Sequence, residues 1–348
     1  MDLKEKLETL PKSPGVYLMK GKRGEVLYVG KAKVLLNRVR SYFQSSRDVT
    51  PKSASMNSRI VDLETIDTAS ELEALILENN LIKRHRPKYN VTLRDDKNYP
   101  LLRLPIAEDY PRLEKVRKAK QDGARYFGPY VPGGGLREIV GLLRRIFPIP
   151  NCTIEIDGKL DRPCIEFEIK RCLAPCTGNQ SQADYRGMIE QVILFLEGKD
   201  KVLVNNLKTQ MQKRAEALDF ESAALLRDQI KRVERALERQ RITSSKLEDQ
   251  DVIGLARDES MAEIHVIFVR GGKVIGRKDF FFDQVAEISD EALCTGFIQQ
   301  FYHKEVLVPR EILIPFDLQE TALLQQWLSS RRGGPVNLLW PRRGKTKD

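Results

Sequence analysis

The sequence predicts a multidomain α/β protein, and three features of its hydrophobic pattern support this. Strand-like alternation and helical spacing follow one another across the first ninety residues. A long helical pattern covers residues 202–237, and a pattern of period two begins near residue 251. A chain of 348 residues is long for one hydrophobic core, so we expect two to three domains.

The first ninety residues begin with two predicted strands, at residues 15–20 and 25–29, which a polar turn joins into a hairpin. Helical spacing follows over residues 33–43, where the apolar side chains share one face. Arg38 and Tyr42 lie four positions apart on another face, so both side chains can point into one cleft.

A second helix is predicted from residue 71 to about His85. Ser70 and Glu73 form a capping-box pattern at its start, and Pro87 lies just beyond its end. On this basis we assign residues 1–95 to a first α/β domain.

Residues 96–150 form a predicted connecting α/β segment. Short strand-like runs alternate with turns as far as Tyr130, and helical spacing covers residues 136–147. The glycines at positions 133–135 lack the Gly-Lys-Ser/Thr ending of a phosphate-binding loop, so we interpret them as a flexible entry to the helix.

Residues 201–240 carry the clearest helical signal and predict a hairpin of two helices that turns at Asp219 and Phe220. Apolar residues recur at steps of three and four: Leu207, Met211, Ala215, Leu218, Ala223, Leu226, Ile230, Val233 and Leu237. Two helices cannot bury this stripe alone. It therefore packs either on its own chain or on similar helices of a partner, and the sequence leaves both open.

Residues 250–348 predict three antiparallel strands followed by helix, strand, helix and strand. RNase H-like folds begin with this order, so we expect an incomplete RNase H-like α/β region. Asp251 precedes the first of these strands without a matching set of strand-borne carboxylates. We interpret it as a structural residue.

Positive charge is concentrated in the N-terminal part of the chain. The formal net charge is +10, and residues 1–148 contain 29 Lys and Arg against 18 Asp and Glu. One-sided basicity is typical of proteins that bind a polyanion, because neutralising phosphates releases condensed counterions. Charge alone leaves open the alternative of a soluble basic protein without such a partner.

The cellular compartment follows from what the sequence does not contain. No run of eighteen apolar residues is present, so we expect no membrane span. The first six residues lack the apolar core of a secretion signal, so we expect a cytoplasmic protein. Five cysteines in a reducing compartment favour metal binding or reactivity over disulfides.

Side chains suited to phosphodiester cleavage are concentrated near the N-terminus. Tyr17 and Tyr28 lie on the two hairpin strands, where an antiparallel register can place both phenols on one face. Tyrosines on strands are usually packing residues, but nearby cations favour a catalytic role. Lys31 directly follows Gly30, where the backbone can approach a ligand closely.

Glu78 interrupts the apolar pattern of the second predicted helix, with Leu75 and Ile82 one turn away on its own face. A carboxylate in such surroundings is costly unless it is paired or bound to a metal. A hard oxygen ligand with few protein neighbours suits Mg²⁺ or Mn²⁺. A phenol, cations and one carboxylate are together what metal-assisted phosphodiester cleavage needs.

The order of these residues closely resembles the GIY-YIG nuclease domain of UvrC, a family of bacterial repair excinucleases. The resemblance is carried by Gly15-Val16-Tyr17, Tyr28-Val29-Gly30-Lys31-Ala32-Lys33, Arg38, Ser41-Tyr42-Phe43, Leu77 to Lys83 and Pro87 to Val91. Valine replaces isoleucine in both tyrosine-glycine triplets, which leaves the phenols in place.

The resemblance implies catalytic roles for five of these side chains. Tyr28, with Tyr17 nearby, would activate the attacking water, and Lys31 would assist that proton transfer. Arg38 would stabilise the phosphorane and the leaving oxygen. Tyr42 would help to orient the scissile phosphate.

The resemblance also implies that Glu78 holds a single Mg²⁺ or Mn²⁺ ion and that Asn90 supports the site geometry. In the family, this domain makes the incision on the 3′ side of a lesion in double-stranded DNA during nucleotide excision repair. A second nuclease domain makes the 5′ incision. We expect this chain to lack that domain and to be competent for one cut.

Four cysteines lie in a predicted cysteine-rich metal-cluster segment at residues 151–200: Cys152, Cys164, Cys172 and Cys176. Four thiolates in an intracellular protein suit tetrahedral zinc or an iron-sulfur cluster, and spacing alone does not choose. The UvrC family has the same pattern, associated with a four-iron four-sulfur cluster. The resemblance therefore favours that cluster over Zn²⁺.

The predicted helical hairpin resembles the UVR motif, by which the family meets the helicase UvrB. The stretch from Asp219 to Ala224 at the turn carries this resemblance. An exposed aromatic side chain is a common interface anchor, so Phe220 would be the residue that binds UvrB.

We therefore expect a metal-dependent endodeoxyribonuclease component of the UvrABC repair system. A stand-alone single-incision GIY-YIG nuclease is one alternative, which the hairpin and the RNase H-like strands argue against. The other alternative is a non-catalytic DNA-binding adaptor. A chain without Tyr28, Arg38 or Glu78 would favour that alternative, but all three residues are present here.

Overall fold

In the residues that the computed structural model describes, there are three separate β-sheets, and helices pack against each of them. The structure describes residues 3–43, 56–93, 99–130, 135–239, 249–283, 285–286, 288–303 and 307–340. Within these ranges, no helix combines the length and the apolar character that crossing a membrane requires.

The first sheet has the strand order β2-β1-β3, and both of its strand pairs are antiparallel. Its domain contains α1 (Leu3–Glu8), β1 (Gly15–Lys20), β2 (Val26–Ala32), α2 (Leu35–Ser41), β3 (Asp62–Asp67) and α3 (Glu71–His85). The register pairs Tyr17 with Gly30 and Met19 with Tyr28, so the two tyrosines lie on the same face. The predicted hairpin is therefore present, with its second strand extended to Ala32.

Helix α3 begins and ends where its sequence predicts. The Ser70 side chain accepts a hydrogen bond from the Glu73 N–H at 3.1 Å, which caps the first turn. The Glu73 carboxylate accepts from the Ala69 N–H at 2.8 Å, one residue before the cap. At the other end Arg86 adopts a left-handed conformation, immediately before Pro87. This capped helix carries Glu78 on its inner side.

The second sheet and five helices form the middle of the chain, around one buried core. The elements are β4 (Leu101–Leu104), β5 (Glu114–Val116), β6 (Arg125–Phe127), α4 (Gly135–Ile146), α5 (Ile165–Glu168), α6 (Gln182–Leu196), α7 (Asp200–Glu216) and α8 (Phe220–Arg239). Leu104, Phe147, Tyr185 and Val233 all belong to this core, so it crosses the predicted boundaries at residues 150 and 200. Of the glycines predicted as a flexible entry to α4, those at positions 133 and 134 lie outside the described residues.

Helices α7 and α8 form the predicted hairpin, and their apolar stripe packs on their own chain. Leu203 and Leu207 of α7 and Val233 of α8 are fully buried in the middle core. The sequence alone did not distinguish this packing on the same chain from packing on the helices of a partner. At the turn, Leu218 and Phe220 point outward and are 74% and 65% exposed.

The third sheet has five strands in the order β11-β10-β7-β8-β9. Its region contains β7 (Gln250–Asp258), β8 (Met261–Arg270), β9 (Lys273–Asp283), α9 (Asp290–His303), β10 (Glu311–Leu313), α10 (Thr321–Arg332) and β11 (Asn337–Leu339). Strands β7 to β9 are antiparallel neighbours, whereas β10 runs parallel to both β7 and β11. Gly271 and Gly272 make the β8–β9 turn with φ of 55° and 75°, as a tight hairpin requires.

Asp251 is fully buried at the start of β7 and is bonded within the core. Its carboxylate pairs with the Arg270 guanidinium at 2.7 Å and accepts a hydrogen bond from the Tyr302 hydroxyl at 2.6 Å. A carboxylate held by two buried partners ties β7 to β8 and α9. This arrangement agrees with the structural role that the sequence indicates for Asp251.

Candidate active site

Three tyrosine rings stand together beside the first sheet. The ring centroids of Tyr17, Tyr28 and Tyr42 are separated by 6.1, 5.9 and 6.2 Å. The Tyr17 hydroxyl donates a hydrogen bond to the Tyr42 hydroxyl at 3.1 Å. Strands β1 and β2 and the C-terminal end of α2 each supply one ring, so this cluster depends on the whole domain being folded.

The two glycines of the tyrosine-glycine triplets lie at positions where a side chain would not fit. A Cβ on Gly30 would lie 2.4 Å from the Tyr17 hydroxyl oxygen. A Cβ on Gly15 would lie 2.4 Å from the Ile66 carbonyl oxygen on β3. Both separations are far shorter than any non-bonded contact, so each position excludes a side chain. Gly30 is therefore a packing requirement of the tyrosine cluster, whereas Gly15 is required where β1 packs against β3 and α2.

Burial raises the pKa of Tyr17 and of Tyr28 well above the usual value, and the neighbouring phenols raise both further. Arg38 acts in the opposite direction on each phenol. Both hydroxyls are consequently protonated at neutral pH and can donate hydrogen bonds. Removing the proton from Tyr28 requires additional positive charge near its oxygen.

Arg38 lies on α2 with its guanidinium carbon 5.4 Å from the centroid of the Tyr42 ring. Partial burial acts to lower the pKa of Arg38, but the phenols of Tyr42 and Tyr17 outweigh it and the pKa is raised. The guanidinium is therefore a permanent positive charge beside the three phenols.

Glu78 is 9% exposed, and its Oε1 accepts a hydrogen bond from the backbone N–H of Lys31 at 3.0 Å. Burial raises the pKa of Glu78 to about 7; Lys31 opposes this shift, and Glu320 adds to it. The deprotonated carboxylate thus lacks enough positive charge around it. A single hard oxygen donor at a cavity fits Mg²⁺, which uses one or two carboxylates with waters and substrate phosphates.

Lys31 and Asn90 complete the set of predicted residues. The Lys31 ammonium forms an ion pair with the Glu320 carboxylate. The Asn90 amide bonds twice to the Val29 backbone: its nitrogen donates to the carbonyl at 2.7 Å, and its oxygen accepts from the N–H at 2.8 Å. Asn90 thereby holds β2 in place between Tyr28 and Lys31.

One cavity of about 490 Å³ is lined by all seven residues predicted for the first domain: Tyr17, Tyr28, Lys31, Arg38, Tyr42, Glu78 and Asn90. The structure thus brings together phenols, cations and a carboxylate that span seventy-four positions of sequence. Their individual catalytic roles stay predictions.

Sequence reasoning missed the other wall of this cavity. It comes from the C-terminal region and includes Gln299, Gln300, Gln319 and Glu320. These residues lie more than two hundred positions from Glu78, and neither a motif nor a hydrophobic period connects them to it. Only the docking of α9 and α10 against α3 brings them to the site.

The four cysteines lie near one another without closing around a small centre. Cys172 and Cys176 are buried, and Cys164 is exposed. Burial raises the pKa of Cys172, and the other three thiols of the group raise it further. In the described part of the chain, no three of these sulfurs lie within 4.8 Å of one another.

Four protein-family models match successive parts of the chain. They describe a UvrC-like GIY-YIG domain at residues 13–91 and a UvrC/Cho excinuclease middle domain at residues 99–195. The UvrB/uvrC motif matches residues 201–236, and a UvrC ribonuclease H-like domain matches residues 249–348. The nuclease-type first domain and the RNase H-like domain are therefore both present.

Curated relatives match over the whole chain. UvrABC system protein C of Caldanaerobacter subterraneus subsp. tengcongensis is 48% identical, with 100% of this chain and 57% of the relative covered. That of Acetivibrio thermocellus is 44% identical, with 99% of this chain and 55% of the relative covered. The chain thus spans a little more than half the length of these relatives.

A solved structure also matches the N-terminal part. It is the GIY-YIG N-terminal endonuclease domain of UvrC from Thermotoga maritima, described as bound to its catalytic divalent cation, magnesium. Its sequence identity is 47%, the match covers 26% of this chain and 96% of that one, and the TM-score is 0.24. The four matched models and the identity to relatives over the whole of this chain show that the chain belongs to the UvrC family.

Proposed function

We propose that the chain is an endonuclease component of the UvrABC nucleotide excision repair system. It cuts one DNA strand on the 3′ side of a lesion by metal-assisted phosphodiester hydrolysis. The observation that carries this proposal is the single cavity in which Tyr28, Arg38 and Glu78 meet. Phosphoryl transfer needs positioning and charge stabilisation above all, and these side chains supply both.

In this proposal Arg38 stabilises the negative charge of the transition state. The guanidinium stays protonated at every physiological pH and lies beside the tyrosine rings, where a phosphate can reach it. It would neutralise the negative charge that develops on the phosphorane and on the leaving oxygen. A group placed in this way contributes about 3 kcal/mol to transition-state stabilisation.

Proton transfer falls to the phenols. Tyr28 holds the attacking water through its hydroxyl, and Tyr17 and Tyr42 fix the ring cluster by their mutual hydrogen bond. Because the pKa of Tyr28 is raised, the phenol must first release its own proton to solvent before it can accept one from the attacking water, and nearby positive charge favours that release. Arg38 supplies one such charge, and Lys31 also lines the cavity.

Glu78 would hold the divalent ion, Mg²⁺ or Mn²⁺. When bound, such an ion polarises phosphate oxygens and lowers the pKa of water. The Lys31 backbone N–H fixes one Glu78 oxygen and so orients the carboxylate toward the cavity. Asn90 supports this geometry two residues earlier on the same free edge of β2, through its two hydrogen bonds to the Val29 backbone.

We propose that the exposed turn of the α7–α8 hairpin, with Phe220 as its anchor, binds UvrB.

We also propose that Cys152, Cys164, Cys172 and Cys176 hold a four-iron four-sulfur cluster, which the resemblance to the family implies. Iron and zinc analysis of anaerobically purified protein tests the iron-sulfur proposal, and a colourless, zinc-loaded protein would contradict it.

The domain organisation is part of the same proposal. We assign residues 1–95 to the nuclease domain and residues 250–348 to the RNase H-like region. Residues 96–150, 151–200 and 201–240 are the connecting, cysteine-rich and hairpin segments, which share one core in the structure.

A nicking assay tests the proposed function. The substrate is a duplex with one lesion and labels on both strands, incubated with UvrB and Mg²⁺ or with EDTA. We expect one cut on the 3′ side of the lesion, only with the divalent ion and UvrB. Cutting without UvrB would instead support a stand-alone nuclease, and DNA binding without any cut would support a non-catalytic adaptor.

A further inference from the structure

A carboxylate from the RNase H-like region lies in the nuclease cavity. Glu320 directly precedes α10, and its carboxylate forms an ion pair with the Lys31 ammonium across 289 positions of sequence. The Lys31 side chain is only 12% exposed, whereas that of Glu320 is 43% exposed. The enclosed Lys31 is thus paired with Glu320, whose more exposed side chain has room to move out into solvent.

This ion pair is not what holds the two regions together. Leu75 of α3 is buried in the hydrophobic core of the RNase H-like region. The Asn79 amide donates to the Gln299 carbonyl at 2.9 Å, and the Gln300 amide donates to the Val91 carbonyl at 2.8 Å. Buried apolar and amide contacts therefore fix the interface whether or not Glu320 is charged.

The position of Glu320 places it in competition with a substrate. A DNA phosphate that enters the cavity is an anion and needs the same Lys31 ammonium. Glu320 already offsets that charge, and its own negative charge also lies close enough to Glu78 to raise the pKa of that group. Binding a phosphate at Lys31 therefore requires Glu320 to leave or the two anions to share one cation.

We propose that Glu320 is a tethered competitor of the substrate phosphate. The RNase H-like region uses it to mask Lys31 and to weaken the binding of DNA in the nuclease cavity. Glu320 contacts the Lys31 ammonium, so its effect on access is measured as a change in DNA binding. This inference rests on the proposed nuclease function, but its effect on DNA binding can be measured separately.

Fluorescence anisotropy with a labelled lesion-containing duplex, in EDTA and at several salt concentrations, measures the masking directly. We expect Glu320→Gln to bind the duplex about fivefold more tightly than wild type at low salt, because one partly exposed ion pair no longer opposes binding. In Glu320→Gln the Lys31 ammonium is free to contact a phosphate. This additional cation should make the slope of the logarithm of the DNA association constant against the logarithm of salt concentration steeper by about 0.9.

Asp317→Asn is the matched control. It removes one negative charge three positions away, on an exposed residue that does not line the cavity. We expect it to leave the salt slope unchanged. Glu320→Ala is a second test variant, and melting temperatures check that all three variants are folded.

Incision kinetics separate this inference from the proposed function. With UvrB and Mg²⁺, Glu320→Gln should lower KM for the duplex severalfold. If no protein cuts at all, the nuclease proposal fails, while the binding data still decide the role of Glu320. Wild-type affinity and wild-type salt slope in both Glu320 variants would overturn the inference.

Discussion

The side-chain amide of Asn90 is hydrogen-bonded at both ends to the backbone of Val29. The amide nitrogen donates at 2.7 Å and the amide oxygen accepts at 2.8 Å, so the side chain replaces a missing strand neighbour at this point of β2. Val29 is fully buried and lies between Tyr28 and Gly30. The orientation of Tyr28 in the cavity therefore depends on an amide that lies sixty-one positions beyond Val29.

Asn90→Ala should reduce incision and stability together. The change leaves the Val29 N–H and carbonyl without their partner, which costs about 1 to 3 kcal/mol in the free energy of unfolding. We expect an incision rate about tenfold to a hundredfold lower, because Tyr28 loses its fixed position. Urea unfolding and the nicking assay measure the two effects. A fully active and equally stable variant would show that the clamp has no function.

Gly30→Ala should destabilise the protein through the tyrosine cluster. The added Cβ would lie 2.4 Å from the Tyr17 hydroxyl, so the ring must move, at a cost of about 1 to 3 kcal/mol. Gly141→Ala is the control, since a Cβ there meets no atom within 4 Å and favours helix α4. Thermal unfolding should show a lower melting temperature for the first variant and an unchanged or higher one for the second. Equal melting temperatures would mean that Gly30 tolerates a side chain.

Glu78→Gln should stabilise the metal-free protein above neutral pH. The pKa of Glu78 in the folded chain is raised to about 7, so the folded state keeps a proton that the unfolded state releases above pH 4.5. Wild-type stability from this group is therefore fully present below pH 4.5 and is lost as pH rises to about 7. We expect the variant to be about 2 kcal/mol more stable than wild type at pH 8 in EDTA, and equal to it at pH 4.5.

Adding Mg²⁺ supplies the matching control for Glu78. A ligand that binds only the folded state raises its stability, so wild type should melt at a higher temperature with Mg²⁺ at pH 8. Glu78→Gln should not respond. A similar Mg²⁺ effect on both proteins would place the ion elsewhere, and an unchanged pH profile in the variant would contradict the raised pKa.

Phe220→Ala should weaken capture of UvrB by about tenfold or more without unfolding the chain. The side chain is 65% exposed at the hairpin turn, so its removal leaves the buried core intact. Phe281→Ala is a suitable control, because Phe281 is 69% exposed on β9, away from the hairpin. Pull-down and circular dichroism measure binding and folding. Binding equal to that of wild type would remove Phe220 from the UvrB interface.

Local patterns in the sequence predicted the elements that depend on local physics. The capped α3 helix, the β1–β2 hairpin and the α7–α8 hairpin all follow from periodicity, caps and turns. The strand order of the third region also agrees with the predicted RNase H-like arrangement. The side chains that line the cavity from the first domain could be named because their spacing within ninety residues is itself a pattern.

Packing between distant elements could not be predicted from the sequence. The contact between Lys31 and Glu320 depends on how α9 and α10 dock on α3, and no period or motif encodes that docking. The burial of the hairpin stripe on its own chain was open for the same reason, since its apolar face fits an internal core and a partner equally well. The raised pKa of Tyr28 likewise follows from ring packing that no single residue reveals.

Incision by Arg38→Ala tests the central claim most directly. The assay compares this variant with wild type on the lesion-containing duplex with UvrB and Mg²⁺, at saturating DNA, with DNA affinity measured in parallel. We predict about a hundredfold slower cutting at the same 3′ position, with DNA still bound, because the guanidinium stabilises only the transition state. Cutting at the wild-type rate would show that this cavity is not where the strand is broken.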